Sequence, residues 1–339
     1  MRKNYTPADL SKLKTYSIGK RTHKFDVQRL AGLPPKGAAF RRWLDSLPPF
    51  LGAEAVKKLV AAIADARRAD RPVVFALGAH VVKVGCSPIV CDLIERGIVT
   101  AVAMNGATAI HDVEVATFGQ TSEEVADTIR DGSFGMVRET PAFFAEAIRR
   151  AGARTDGLGA ALGEHLLRTR SPYRRYSILA TARKAGVPAT IHVAIGTDTI
   201  HMHQSVADSD LAALSAVDFR RICSVVADMG PVRAAKTARR TKIGKQTAVK
   251  GRAARLSGVW CNVGSAVILP EVFLKALAVA RNLGSDLDDI TTANLDMIRH
   301  YRPSENVIGR SVKKGRGLQI TGHHEIMLPL LRQALVELI

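Results

Sequence analysis

The chain has 339 residues, 47% of them hydrophobic and 24% charged, which is ordinary globular composition with enough length to bury a sizeable core. That balance excludes a disordered chain, and no apolar run approaches the roughly 18–20 residues of a membrane span. The net charge of +18 is unevenly placed: nine basic residues and no acid stand at 231–255. The opening Met1-Arg2-Lys3-Asn4-Tyr5 has no apolar core, so no secretory signal is expected. Cys86, Cys91, Cys223 and Cys261 form no CxxC pair, which points to buried, reduced thiols in a cytoplasmic protein.

Residues 1–50 are basic and proline-dotted, with a short amphipathic piece at 40–47, and read as an arm preceding one α/β domain at 51–339. At 51–68, Val56, Leu59, Val60 and Ile63 recur at helical spacing, and Arg67-Arg68 complements the negative helix end. The apolar run 72–77, closed by Gly78, has the pattern of a buried parallel strand. A helix is predicted at 87–95, with Pro88 in its first turn, then a strand at 97–104 and a loop. Thr121-Ser122-Glu123-Glu124 opens another helix, and helical stretches continue at 141–151, 158–167 and 173–185. Next come a strand at 189–195, a helix at 216–229 and a basic insert at about 231–257. The remainder reads as strand 259–263, helix 270–283, strand 286–292, strand 318–321 and helix 326–338. Alternation of this kind predicts an α/β, Rossmann-like fold: a mostly parallel sheet with helices on both faces.

Ligands of such sheets sit at the carboxyl ends of the strands. Six small-residue or polar segments fall there, at 78–88, 104–114, 195–203, 262–265, 291–294 and 322–325. Their glycines let a phosphate or a flat ring approach the backbone, and His111, Asp112 and Glu114 add titratable groups. His201 and His203 share a face in an extended segment, as metal ligands do, yet no evident third ligand completes them. The insert has no aromatic residue to stack on bases; it is a solvated loop or a non-specific polyanion contact.

Several of these segments resemble a prokaryotic branch of the deoxyhypusine synthase-like proteins: Ala79-His80-Val81-Val82-Lys83, Met104-Asn105-Gly106-Ala107, Ile110-His111-Asp112, Gly196-Thr197-Asp198, His201-Met202-His203 and Gly322-His323-His324-Glu325. The resemblance runs from about Lys14 to the end, apart from the insert. It implies a Rossmann-like NAD-binding domain, a homotetramer, and oxidation of an amine or polyamine to an imine, followed by aminoalkyl transfer or release. It assigns the cofactor to Gly78, Ala79, His80, Asn105, Gly106, Ala107, Thr197, Asp198, Thr292, Ala293, Gly322 and His323.

The stretch Arg302-Pro303-Ser304-Glu305-Asn306-Val307 is similar to the family's approach to its catalytic lysine, but Arg310 or Ser311 stands at the lysine register. Arginine stays protonated and serine is a hydroxyl, so neither captures an imine as an amine does. Lys313, or Lys314 beside it, is the replacement candidate; Glu305 is a candidate to hold a substrate cation, and His201, His203 and His324 are candidate proton carriers. No metal is expected. Two other readings remain open: a non-catalytic NAD- or RNA-binding protein on the same fold, and a metal-dependent hydrolase using His201, His203, His323, His324 and Glu325.

Overall fold

The computed structural model describes residues 3–152, 156–231 and 256–339, so nearly all of the basic insert, with its expected polyanion contact, lies outside the described residues. By internal contacts the chain divides into two units, Met1–Pro49 and Phe50–Ile339. The first holds 3-10 turns at Leu10–Lys12, Ile18–Lys20 and Val27–Arg29, opened by Asp9, Ser17 and Asp26, whose side chains accept from the N–H two residues on. Helix α1 (Phe40–Ser46) follows within it.

The second unit runs α2 (Leu51–Arg68), β1 (Val73–Leu77), α3 (His80–Lys83), α4 (Ser87–Glu95), β2 (Ala101–Asn105), α5 (Gly106–Phe118), α6 (Val125–Asp131), α7 (Glu139–Ala151), α8 (Gly157–Arg168), α9 (Ile178–Ala185) and β3 (Ala189–His192). It continues with α10 (Asp208–Ala227), β4 (Val259–Val263), α11 (Ile268–Asn282), β5 (Thr291–Asp296), a π-helix at Pro303–Gly309, β6 (Gly317–Thr321) and α12 (His324–Val336). The sheet has six strands in the order β3-β2-β1-β4-β5-β6, every pair parallel. From β1 the chain builds outward through β2 and β3, then returns to the other side of β1 for β4, β5 and β6. This is the expected α/β, Rossmann-like sheet, and its switch point lies between β1 and β4.

Every residue of β1 is buried, as a strand covered on both faces requires. Val74, Ala76 and Trp260 pack with Ile222 and Val226 of α10 and with Phe273 and Leu277 of α11. The Trp260 and Phe273 rings stack with centroids 4.5 Å apart. Removing such a side chain from water contributes roughly 1.5–3 kcal/mol. On the other face α2 lies across β1, β4, β5 and β6, with Leu59 and Ile63 fully buried.

Three elements differ from the sequence-based expectation. Residues 106–118, expected as loop, form α5, entered through the Asn105 side chain, which accepts from Thr108 N. The strand expected at 189–195 stops at His192. The strand expected at 286–292 is instead Thr291–Asp296. Its Thr292 and Asn294 are fully buried because they bond to neighbouring elements rather than to water, a polar strand that a search for apolar runs passes over.

Candidate functional site

The carboxyl edge of the sheet ends in a row of glycines. Gly78 N donates to Val263 O (2.8 Å), Gly264 N to Leu295 O (3.0 Å) and Gly322 N to Asp296 O (3.1 Å). At the switch point, a Cβ on Gly78 would lie 1.9 Å from the Gly264 carbonyl oxygen. No side chain fits there, so β1 and β4 meet backbone to backbone. Gly264 itself is left-handed (φ +67°), which glycine adopts without strain.

Behind Gly264 lies His324, the first residue of α12. It is 1% exposed, and neither ring nitrogen has a partner. Its ring stands 5.8 Å from that of His80. Burial holds the imidazole below the usual histidine range, with nearby Asp296 opposing. The N-cap of α12, His323, supplies no side-chain hydrogen bond, so the helix end retains free N–H groups. Gly78, Ala79, His80, Gly322, His323 and His324 are thus brought together at the switch point, where sheets of this kind have their ligand crevice, and Asp296, the true end of β5, joins them.

A second concavity, a cleft of about 430 Å³, opens beyond the ends of β2 and β3. One face of α5 forms a wall: Ala107, Ile110, His111, Glu114 and Phe118 all line it, at helical spacing. Thr197, Asp198 and His203 close the opposite side, and Lys83 of α3 borders it. Helix α3 packs on both α5 and α12, and its two ends border both regions, Lys83 the cleft and His80 the crevice.

Within the cleft, Glu114 accepts from the hydroxyls of Thr140 (2.8 Å) and Thr121, and Thr121 Oγ1 is 2.6 Å from His111 Nδ1. Burial pushes the Glu114 carboxyl up, but His111, Thr121 and Thr140 together hold it below the usual carboxylate range. Asp198 is buried against Gly106, where a Cβ would lie 2.0 Å from Oδ2. Burial raises its pKa, while the N–H groups of Ala194 and Ala107 and the nearby His201 oppose. With Asn105 capping Thr108 N, the amino end of α5 is already served by the protein's own oxygens. The glycine at 106 therefore makes room for a carboxylate of this chain rather than for a phosphate.

The other expected site residues are dispersed. Thr292 and Ala293 lie inside β5; the Thr292 hydroxyl donates to Val307 O (2.6 Å), so neither faces the strand end. Lys313 precedes β6 at the amino end of the sheet, paired with Asp288 (3.3 Å) and Asp289 (3.5 Å). A five-residue strand, roughly 15 Å at about 3.3 Å per residue, separates it from the glycine row, so it is not brought together with the other candidates. Glu305 pairs with Arg310 (3.2 Å) on the π-helix, away from cleft and crevice. Ser311 is buried, its hydroxyl donating to Asn306 O. His201 and His203 sit on and after a 3-10 turn, Thr199–Met202, rather than in an extended segment. His203 Nε2 is 2.9 Å from Gly135 O, and His201 Nδ1 is 3.4 Å from Asp208. Among the described residues no three His, Cys, Asp or Glu side chains converge as a metal site would require. Asp112 accepts from Ser177 Oγ and from the N–H groups of Ile178 and Leu179, an anchor for α9.

The sequence did not single out Asp296; it named His111 and Glu114 as titratable groups of the segment 104–114 without joining them to Thr121 and Thr140. Reading 107, 110, 111, 114 and 118 as one helical face is the signal that finds the cluster; Asp296 had none, because the strand was placed in the wrong register.

No family model matches the chain, and no curated protein matches its sequence. Among solved structures it is similar to the ternary complex of AgrE with ornithine and NAD+, with a TM-score of 0.51 and 13% identity over 88% of this chain and 34% of that one. Unliganded AgrE gives 0.51 and 14% over 84% and 33%. A protein from Entamoeba histolytica assigned as a deoxyhypusine synthase gives 0.47 and 10% over 89% and 94%. The chain spans about a third of the length of the AgrE chains it matches. These likenesses are likenesses of fold.

Proposed function

We propose that the chain is an NAD-dependent enzyme acting on an amine, with the cofactor along the glycine crevice and the amine in the adjoining cleft. The observation that carries this reading is the adjacency of the glycine-lined strand ends and the cleft, both bordered by α3. One is lined by close-approach backbone, an uncapped helix start and a buried imidazole with two unused nitrogens. The other combines the carboxylates Glu114, Glu123 and Asp198 with apolar Ile110, Phe118 and Phe134. Alkyl walls with three acid groups against one bordering lysine, Lys83, suit a chain ending in ammonium better than an anionic one.

Gly78, Ala79, His80, Gly264, Gly322, His323 and His324 would hold NAD, with a phosphate favoured at the start of α12. Ala107, Thr197 and Asp198 belong to the amine side. Bound NAD supplies the acceptor of a hydride pair. The chain's own part is to hold the ammonium group, take its proton and exclude water. Polyamine specificity and a homotetramer are carried from the family resemblance, and a cytoplasmic setting from the unpaired cysteines, as parts of the same proposal.

The test is calorimetry with NAD, followed by absorbance of NADH with ornithine, spermidine and 1,4-diaminobutane. Micromolar NAD binding that falls at least tenfold in His324→Leu is expected. No heat at millimolar NAD sinks the reading.

A further inference from the structure

We infer that His111 is the proton acceptor for the amine in the cleft, and that Glu114, acting through Thr121, fixes the tautomer that makes it one. This rests on the functional reading above and names a residue within its site. The geometry decides the direction of each hydrogen bond. An ionised carboxylate only accepts, so the hydroxyls of Thr121 and Thr140 both donate to Glu114. A threonine hydroxyl has a single hydrogen. Having given it to Glu114, Thr121 Oγ1 can only accept from His111 Nδ1, 2.6 Å away. The neutral ring therefore carries its hydrogen on Nδ1. Nε2, which has no hydrogen-bond partner among the described residues, keeps its lone pair, and the ring lines the cleft.

The charge left after proton transfer is also provided for. Glu114 Oε2 lies 3.8 Å from His111 Nδ1, with both side chains only 17% exposed, so an imidazolium formed there is paired at once. His203, the other histidine lining the cleft, has a backbone carbonyl at its Nε2 and no comparable carboxylate bonded to it. The step balances as R2CH–NH3+ plus neutral His111 giving R2CH–NH2 plus imidazolium. The lone pair so freed forms the C=N bond as the C–H pair leaves to NAD+, giving R2C=NH2+ and NADH. His111 is the catalytic residue; Thr121 and Glu114 are positioning residues.

Nitrogen-15 side-chain spectra of the full-length protein, recorded across pH so that neutral rings are identified, read the tautomer without any turnover. His111→Gln assigns the signal. Wild type is expected to show hydrogen on Nδ1, Thr121→Val to shift it to Nε2, and Thr121→Ser to restore it. A wild-type ring protonated on Nε2, or a Thr121→Val spectrum like wild type, overturns the inference. In the second arm, NADH formation from NAD with ornithine, spermidine or 1,4-diaminobutane is expected to fall at least 100-fold in His111→Gln, in a variant that melts like wild type. Unchanged NADH formation overturns the role of His111 alone. A wild type that forms no NADH with any of the three amines overturns the functional reading, and this role with it. Should His111→Gln fail to fold, Thr121→Val carries both arms.

Discussion

The two halves of the sheet solve the same problem with opposite chemistry. Beside β1, β2 and β3, buried backbone N–H groups are met by carboxylates: Asp112 on α9, Asp198 on Ala194, and Asp218 on Gly159 (2.9 Å) and Ile191 (2.8 Å). Across β4, β5 and β6 the buried polar groups are amides: Asn262 donates to Asn294 (2.7 Å), and Asn294 to Gln319 (3.2 Å). Burial pushes Asp112 up to about 6 and Asp218 up to about 7, with the backbone hydrogen bonds opposing. Amides do not titrate. The half that forms the acidic cleft is therefore held by carboxylates, whereas the amide row of the other half does not titrate and leaves Asp296 and His324 as the buried ionisable groups at its end. An acid-lined site and an acid-held scaffold come together because both are built from the same loops.

The strongest way to break this contrast is at the glycines. Gly78→Ala forces a Cβ against the Gly264 carbonyl, an obstacle of backbone, and is expected to cost more than about 3 kcal/mol, read from the urea midpoint. Gly106→Ala meets the Asp198 side chain instead, so the double variant Gly106→Ala/Asp198→Ala should recover stability relative to Gly106→Ala alone. No side-chain truncation relieves Gly78→Ala. If the double variant is no better, the cleft half is as backbone-bound as the crevice half.

The pH contrast comes next. A carboxylate with a raised folded pKa gives its stabilisation in full below the unfolded value of about 3.9 and loses it as pH rises through about 7. Unfolding free energy should decline over that window, by on the order of 2 kcal/mol from Asp218. Asp218→Asn should flatten the decline, measured by urea titration at pH 5 and 7.5. A profile of unchanged slope would show that Asp218 does not titrate there.

Glu114→Gln keeps the volume of the cleft and removes one charge. Amine affinity should fall about tenfold, or about 1.4 kcal/mol, with NAD binding unaffected; equal loss of both would join the two concavities into one site. At the crevice, His324→Leu replaces an imidazole with two unpartnered nitrogens. Stability should hold or rise by up to about 1 kcal/mol while NAD binding weakens, because a buried polar group without partners costs energy until a ligand meets it. The smallest effect is expected from replacing 232–255 with a short glycine linker. Gly258 N already donates to Met229 O (2.7 Å), so the flanking chain ends are held together. A melting temperature within a few degrees of wild type is the outcome looked for, and aggregation would count against it.

The parallel sheet was legible because β1 and β4 are short, fully buried apolar runs bounded by glycine, and because strands alternate with amphipathic helices. The helix α5 was not, since Gly106-Ala107-Thr108 reads as a turn and its cap, Asn105, sits where a strand ends. Strand β5 was displaced because it is polar: Thr291, Thr292, Asn294 and Asp296 are buried, and the partners of Thr292 and Asn294 lie on elements that no local window contains. Gly78, His80, Gly322 and His323 were placed at strand ends by their position after apolar runs, and they lie there in the structure. Lys313 was misplaced because a loop of unknown path followed the π-helix, and the path returns to the opposite end of the sheet.

The amide row has a further consequence. Asn262, Asn294 and Gln319 are level in the strand register, and both hydrogen bonds of the row run in the same direction, from β4 toward β6. Asn262 also gives a hydrogen to the Ser265 carbonyl (2.9 Å), which fixes which way its amide is turned. Turning any one amide over would set oxygen against oxygen or donor against donor at its neighbour, so the three share a single orientation, with an unused acceptor at the Asn262 end and an unused donor at the Gln319 end. One carbonyl beside the switch point thereby dictates the polarity that the sheet presents two strands away, at its β6 edge.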